Sequence, residues 1–395
     1  MDYQLLLFNL CDLFVVDDYG VDDDLAKLVL ELGVPSISNV HLVKDRGNSL
    51  FREGNFILAA RHYTQALKLL ENGQTFKCVD FHKQPAFRDS SLGLQVVSNL
   101  TKLQHQESVS GLGLGSRQCP IGTVPILDRP NHFVTYPEVP QPQSGPPHAK
   151  RHCSAKVRTR ANPSKKFFGA AGALSIYKPN VPGNQWSSAR IRLLNGGNII
   201  EAGWMINPSE FKNNEAHLYA SFNVNGKGCI NLDCPGFVQV SRDVPLGITP
   251  NEYSSREKQI VWDLAIDKDK DGNWWLSITS KRIPIGYWPK SLFSSLKDAA
   301  NQVEFGGEIN NPNAIDPPTP MGNGRKADYD TTLSACFYQA TVVDGSRTRV
   351  NPPDTEKYTD CSDLYTVLDG GHQDDPKLGR LIFYGGPGPI IESHI

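Results

Sequence analysis

Residues 199–206, with the sequence Ile-Ile-Glu-Ala-Gly-Trp-Met-Ile, form an apolar run that contains a single carboxylate, Glu201. Similar short runs occupy residues 172–177, 217–223, 260–266, 274–280 and 337–343. Turn-forming residues separate these runs, and no long helical pattern lies between them. The pattern predicts antiparallel β-structure from about residue 165 onward, in a sandwich or a barrel.

Composition agrees with a turn-rich, mainly β protein. The chain has 395 residues, of which 39% are hydrophobic and 21% charged, with 34 Gly and 28 Pro. These values are ordinary for a soluble globular protein of one or two domains. The formal net charge of −2 gives no overall reason to expect nucleic acid or an anionic membrane as a partner. The sequence contains no run that approaches the roughly 18 apolar residues of a membrane span.

The first 150 residues differ from the rest and divide into four segments. Residues 1–39 are interpreted as a helical segment and not as a secretory signal, because Asp2 stands where a basic residue is expected. Residues 40–73 resemble one tetratricopeptide hairpin without a second copy, which favours a lone hairpin over a peptide-binding superhelix. Residues 74–118 are loop-like, and residues 119–150 form a Pro-rich linker. The β domain then spans 151–395.

Two local patterns within the β domain predict specific elements. The stretch from Asp267 to Gly272 begins like a calcium-binding loop, but Ile278 stands where the twelfth, bidentate carboxylate is required. A hairpin turn is therefore the preferred interpretation. One short helix is predicted over residues 291–302, where Leu292, Leu296 and Ala299 recur on one face.

Carboxylates are the remaining candidates for chemistry, because the sequence has no nucleophile elbow, no zinc helix and no zinc-like cysteine spacing. Glu201 lies in its apolar run, and Glu308 follows Phe305, Gly306 and Gly307. Burial would raise the pKa of such a carboxyl, as a general acid requires, and the two glycines would let a substrate backbone approach. The alternative, favoured by the residues alone, is that either glutamate simply points outward from its strand.

The same residues carry a family resemblance. Residues 167–388 resemble the neprosin domain of plants, and residues 78–87 and 119–126 resemble that family's activation peptide and the segment that follows it. The motifs that carry the resemblance within 167–388 are FGA at 168–170, IEAGW at 200–204, CINLDCPGF at 229–237, GNWW at 272–275, IGYWP at 285–289, SLF at 291–293, FGGE at 305–308, MG at 321–322 and YGGPG at 384–388.

The resemblance implies a fold, an activity and a pathway of maturation and delivery. It implies an antiparallel β-sandwich with Glu201 and Glu308 as catalytic residues, a disulfide between Cys229 and Cys234, and no metal or cofactor. The implied activity is that of a glutamic endopeptidase that cleaves proline-containing peptides after proline at acidic pH. Secretion or vacuolar delivery as a latent precursor is also implied, although no signal peptide is visible. Cys361 departs from the family pattern, because the C-terminal cysteine that should pair with it is replaced.

Aromatic residues and the activation-peptide-like segment complete the expected site. Four aromatic residues are predicted to bind substrate in the groove: Trp204, Tyr287, Trp288 and Phe305. The segment 74–118, acting as the chain's own propeptide, is expected to lie across or beside that groove through Phe81, Pro85 and Phe87. Glu201 is the preferred protonated partner, because its strand is apolar.

Two other functions remain open at this stage. Paired carboxylates on a β-sandwich also suit a glycoside hydrolase, although the two glutamates lie about a hundred residues apart in sequence. A catalytically degenerate binding module, with an aromatic platform and no active dyad, is the alternative from outside the enzymes.

Overall fold

The computed structural model describes residues 76–88, 118–127, 152–279, 283–312 and 318–388. The chain divides into two compact units, Met1–Phe76 and Lys77–Ile395, and the fold described below is that of the second unit. The predicted helical segment 1–39 and the tetratricopeptide-like hairpin 40–73 lie outside the described residues. Among the helices of the described ranges, none has the length and apolar character needed to cross a membrane.

The described residues form eighteen strands and one short α-helix, α1 (Pro208–Phe211). In chain order the strands are β1 (Phe76–Asp80), β2 (Thr123–Leu127), β3 (His152–Thr159), β4 (Gly169–Ser175), β5 (Trp186–Asn195), β6 (Asn198–Ile206), β7 (His217–Val224), β8 (Lys227–Ile230), β9 (Val238–Gln239), β10 (Val261–Lys268), β11 (Trp274–Ile278), β12 (Ile283–Trp288), β13 (Gln302–Asn310), β14 (Ala335–Val343), β15 (Arg349–Val350), β16 (Thr355–Thr359), β17 (Thr366–His372) and β18 (Arg380–Gly385).

Two large antiparallel sheets face each other. A seven-stranded sheet has the order β16-β3-β13-β5-β6-β7-β8, and a nine-stranded sheet has the order β17-β18-β14-β4-β10-β11-β12-β9, with β15 paired to β14. The predicted antiparallel β-sandwich is therefore confirmed. Each of the six predicted runs begins within three residues of the start of an observed strand and ends within two residues of its end.

Alternate residues of the strands fill the space between the two sheets. On β6 and β13 the inward residues include Trp204 and Phe305, which are 0% and 1% exposed. Trp204 donates its indole N–H to the Ser175 carbonyl of the nine-stranded sheet at 2.9 Å. The Phe305 ring lies 5.9 Å, edge to face, from that of Phe337. Because side chains alternate along a strand, the residues next to Trp204 and Phe305 point to the opposite face of the seven-stranded sheet.

The helix predicted over residues 291–302 is not formed. A single 3₁₀ turn, Lys290–Leu292, is followed by turns, and Gln302 already belongs to β13. The Asn198 side-chain oxygen accepts the backbone N–H groups of Ser294, Ser295 and Leu296 at 2.8–3.3 Å. A side chain from another part of the chain thus satisfies the donors that would otherwise bond within a helix.

The stretch Asp267–Gly272 is confirmed as a hairpin connection between β10 and β11. Gly272 has a φ of +95°, which favours glycine. The Asp269 carboxylate accepts the Asn273 backbone N–H at 2.8 Å and the Trp275 indole N–H at 2.7 Å. This carboxylate therefore closes the turn.

Disulfides join three pairs of cysteines in the described residues: Cys78–Cys119, Cys153–Cys361 and Cys229–Cys234. The Cys229–Cys234 bridge is the predicted short loop and is confirmed. Cys361 was expected to lack its partner, and the structure instead pairs it with Cys153 across a separation of 208 residues. In the chain-entropy picture, closing so long a loop stabilises the fold by about 5 kcal/mol, against about 2 kcal/mol for the short loop.

The described part of the activation-peptide-like segment packs on the nine-stranded sheet. Phe81 is buried in a cluster with Val238, Val240 and Tyr287, and Phe87 packs at its margin. The side-chain amide of Gln84 accepts the backbone N–H of Gln239 at 2.7 Å and donates to its carbonyl at 3.1 Å, as a neighbouring strand would. These contacts lie on the outer face of the nine-stranded sheet, whereas the segment was expected across or beside the groove of the glutamates.

Candidate active site

The outer face of the seven-stranded sheet carries a row of charged side chains in neighbouring strands. Arg192 on β5 lies directly opposite Glu304 on β13 and opposite Glu201 on β6. Two residues earlier, Arg190 occupies the same face, and Glu308 projects from β13 on that face as well. The pairing register of β13, β5 and β6 therefore brings together residues that lie far apart in sequence.

Two arginines hold the two predicted catalytic glutamates. Arg192 donates from Nε to Glu201 Oε2 at 2.6 Å and from Nη2 to Glu308 Oε2 at 3.0 Å. Arg190 Nε lies 3.1 Å from Glu201 Oε2, and its Nη2 lies 2.5 Å from Glu308 Oε2, at ion-pair distance without aligned hydrogen-bond geometry. One oxygen of each carboxylate thus contacts both guanidinium groups, so the same two arginines bridge the two carboxylates.

The other oxygen of each glutamate has a different environment. Glu201 Oε1 accepts hydrogen bonds from the Tyr219 hydroxyl at 3.2 Å and the Ser221 hydroxyl at 3.1 Å. Glu308 Oε1 instead lies 2.7 Å from His152 Nε2. Glu201 therefore has hydroxyl donors on its second oxygen, whereas Glu308 has the His152 imidazole there.

A buried ion pair extends the row. Lys156 Nζ on β3 lies 2.8 Å from Glu304 Oε2, and Arg192 Nη1 lies 3.7 Å from the same oxygen. Burial lowers the pKa of Lys156. Burial also opposes ionisation of Glu304, but Lys156 and Arg192 outweigh it and lower the pKa of Glu304. Every carboxylate of the row consequently has a cationic partner.

The pKa of Glu201 is lowered, not raised. Burial acts to raise the pKa of both glutamates, yet Arg192 and Arg190 outweigh it and place the pKa of Glu201 below its ordinary value. Arg190, Arg192 and His152 hold the pKa of Glu308 well below its ordinary value. The prediction of a raised pKa is wrong because it considered the apolar neighbours along the strand and not the arginines across it. Both glutamates do point outward from the sandwich, as the alternative has it, yet they are buried there, at 2% and 6% exposed.

None of the four aromatic residues predicted to bind substrate shares the face of the glutamates. Trp204 and Phe305 lie between the sheets, an odd number of residues from Glu201 and Glu308 along their strands. Trp288 is fully buried against Phe237 in the nine-stranded sheet. Tyr287 is buried in the cluster that contains Phe81. In this structure the four side chains instead build the core and the surface on which residues 76–88 pack.

The two glycines before Glu308 have different surroundings. Gly306 lies on the charged face opposite Arg190, where a Cβ atom would approach the Ala155 carbonyl oxygen to 2.2 Å. A Cβ on Gly307 would instead meet the side chains of Met321 and Tyr384 between the sheets, at 2.6 Å. Both glycines are therefore required by close packing within the protein, and neither opens a path for a substrate backbone.

Fold and site together define a β-sandwich protein with a buried, arginine-bridged pair of glutamates. Residues 183–387, more than half of the chain, match the neprosin family. The chain belongs to the neprosin family.

Similar solved structures include two of scytalido-glutamic peptidase, one with a transition state analog inhibitor and one with a peptide-based transition state analog. Each is 8% identical to this chain and covers 60% of it, with TM-scores of 0.32 and 0.34. The alignments cover 98% and 99% of the respective peptidase chains.

Sequence reasoning missed the cations of the site. Arg190 and Arg192 alternate with Ile191 and Leu193, a period that places both arginines on one face of a half-buried strand. That signal could have predicted a charged face, but not which carboxylates would lie there. His152 and Lys156 carry no comparable local signal, because their role depends on the pairing of β3 with β13.

Proposed function

We propose that this protein is a glutamic endopeptidase that hydrolyses the peptide bond after proline at acidic pH and is made as a latent precursor. The main support for a catalytic role of the two glutamates is that Glu201 Oε2 and Glu308 Oε2 contact the same two guanidinium groups. Two carboxyls so close together share one proton over a range of pH, because the charge on one raises the pKa of the other.

Different surroundings assign different roles to the two glutamates. Glu308 lies at ion-pair distance from Arg190, Arg192 and His152, whereas the second oxygen of Glu201 has hydroxyl donors, so Glu308 stays ionised and acts as the base. Glu201 is the member of the pair that holds the shared proton. Glu308 takes a proton from water as the oxygen attacks the scissile carbonyl carbon. Glu201 then donates its proton to the amide nitrogen as the carbon–nitrogen bond breaks.

The lowered pKa values support activity in acid. The reactive state has one proton on the pair, and both carboxyls hold protons more weakly than an ordinary glutamate does. That state is therefore populated only at acidic pH, and activity should fall as the shared proton leaves. The proline preference and the latent precursor rest on the sequence resemblance to the neprosin family. Residues 78–87, which resemble its activation peptide, are attached through Phe81, Gln84 and the Cys78–Cys119 disulfide.

The test compares cleavage of two peptides at about pH 3, near the ordinary carboxyl range. One peptide contains a single proline, and the other has alanine in its place. Protein kept at neutral pH is compared with protein preincubated in acid, which should be shorter and more active. Glu201→Gln and Glu308→Gln should each lower kcat by several orders of magnitude. Glu252→Gln, at an exposed ion pair with Lys258, is the matched control and should keep full activity.

Each part of the proposal has its own contrary outcome. Full activity in either glutamine variant of the pair would exclude this dyad. Equal cleavage of both peptides would remove the proline preference, and full activity of the untreated protein would remove latency. Failure of the wild type to cleave either peptide would favour the non-catalytic binding module.

A further inference from the structure

A basic cavity lies at one end of the sandwich. Its volume is about 610 Å³, and its lining comes from the turns that follow β3, β5, β10, β12 and β14 and from the segment before β13. Seven basic and three acidic side chains line it, an excess of four positive charges. The whole chain has a net charge of −2. Positive charge is thus concentrated at the cavity, although the chain as a whole has slightly more negative than positive charge.

Four of the lysines around the cavity have no anionic partner in the described part of the chain. Lys166, Lys270, Lys290 and Lys297 are all exposed, and no described carboxylate lies within ion-pair distance of them. One of the three aspartates, Asp269, already accepts the Asn273 and Trp275 N–H groups described above. The lysines consequently repel one another, and an anion bound among them would offset that repulsion.

The inner wall of the cavity contains a buried cation in a fixed position. Lys268 is 8% exposed, and its Nζ donates to the carbonyl oxygens of Gly272 at 2.7 Å and Leu296 at 3.2 Å. Burial lowers the pKa of Lys268 to about 8, against the opposing effect of Asp269 and Asp298. Arg347 donates to the Lys268 backbone carbonyl at 3.3 Å, with its guanidinium over the Phe168 ring. The wall is therefore held in place, and the exposed lysines surround it.

We propose that this cavity binds a compact polyanion that carries two or more phosphate or sulfate groups. Lysine ammonium groups are point charges that accept either kind of oxyanion, and several of them around one cavity favour multiple charges over a single one. The volume suits a ligand the size of a triphosphate. The inference does not depend on the proposed peptidase activity, because none of the lining residues belongs to the glutamate site.

Titration calorimetry of the whole protein at pH 6 and low salt tests the proposal. The probes are sodium tripolyphosphate and sucrose octasulfate, which separate a phosphate ligand from a sulfate ligand. Lys290→Gln/Lys297→Gln should weaken binding of the preferred probe at least tenfold. Lys227→Gln/Lys377→Gln removes two exposed lysines outside the cavity and should change binding less than threefold. Because both variants lose two positive charges, only the position of the charges differs between them.

Circular dichroism establishes that both double variants are folded before titration. Saturable one-to-one binding that is lost selectively in the cavity variant would support the site. Absence of saturable binding with both probes would overturn the proposal. Equal weakening in the two double variants would overturn it as well, since binding would then follow net charge alone.

Discussion

The two faces of the seven-stranded sheet are made by the same strands and have opposite chemistry. On β6, Trp204 points into the space between the sheets, and Glu201, three residues earlier, points away from it. On β13, Phe305 and Glu308 show the same relation. Both faces are buried, yet one is stabilised by apolar packing and the other by ion pairs.

Burial alone therefore does not determine the properties of a glutamate in this protein. On the charged face each buried carboxylate lies next to guanidinium or ammonium groups, and these outweigh the cost of burial. The inner face stabilises the fold by apolar packing, and the charged face carries the groups of the proposed chemistry. Substitutions on the two faces should separate these contributions.

The largest expected effect on stability comes from the inner face. Trp204→Ala removes a fully buried ring and its hydrogen bond to the Ser175 carbonyl. We expect the free energy of unfolding in urea to fall by about 3–5 kcal/mol. Ser221→Ala on the charged face removes one hydroxyl donor to Glu201 and should cost only about 1–2 kcal/mol. Equal losses in the two variants would contradict the division between the faces.

Removing one arginine should shift the pH profile of activity. In Arg190→Met, both glutamates lose a cation at 2.5–3.1 Å, so the pKa of Glu308 should rise. The acid limb of the kcat–pH profile should then move to higher pH by about one unit or more. Each unit corresponds to about 1.4 kcal/mol of lost preference for the ionised form of Glu308.

Arg349→Met is the control for that shift, because Arg349 pairs with Asp267 in the other sheet. Its pH profile should coincide with that of the wild type. An unmoved acid limb in Arg190→Met would show that Arg190 does not hold Glu308 ionised.

Stability should fall in acid because of the charged face. Glu201, Glu304 and Glu308 have pKa values lowered by folding, so the stability they contribute is present above the unfolded pKa of about 4.3 and is lost as pH falls through the folded values. Glu308→Gln should reduce the slope of unfolding free energy against pH below about pH 4 by up to about 1.4 kcal/mol per unit.

Urea unfolding at a series of pH values from about 5 to 2 measures this slope. Glu252→Gln, at an exposed ion pair, should leave the slope nearly unchanged. A wild-type slope in Glu308→Gln would mean that Glu308 takes up its proton equally in the folded and unfolded states.

The smallest effect concerns the free thiol of the core. Cys336 is fully buried, and burial raises its pKa to about 12, so the native protein should react with thiol reagents only as fast as it opens. Labelling followed by mass spectrometry at neutral pH should leave Cys336 unmodified until denaturant is added. Trp204→Ala, with its weakened inner face, should be labelled sooner. Rapid labelling of the native wild type would contradict tight packing between the sheets.

Local patterns were sufficient to predict six of the eighteen described strands and to single out the two carboxylates. Alternation of apolar and polar residues located β4, β6, β7, β10, β11 and β14, since a strand's period of two is a property of the strand itself. The Asp271-Gly272 pair predicted a hairpin, since this dipeptide is typical of tight turns between two strands. The motifs around Glu201 and Glu308 indicated the neprosin family, which the match over residues 183–387 confirms.

Only the tertiary structure decided what lies beside these residues. The lowered pKa values depend on Arg190 and Arg192 across the sheet, the Cys361 bridge depends on Cys153 in β3, and the missing helix at 291–302 depends on the Asn198 side chain. The deciding partner lies nine residues away for Glu201, 97 for Ser295 and 208 for Cys361. A local pattern determines which face a side chain occupies, but strand pairing determines its neighbours, and electrostatic and hydrogen-bond energies depend on the neighbours.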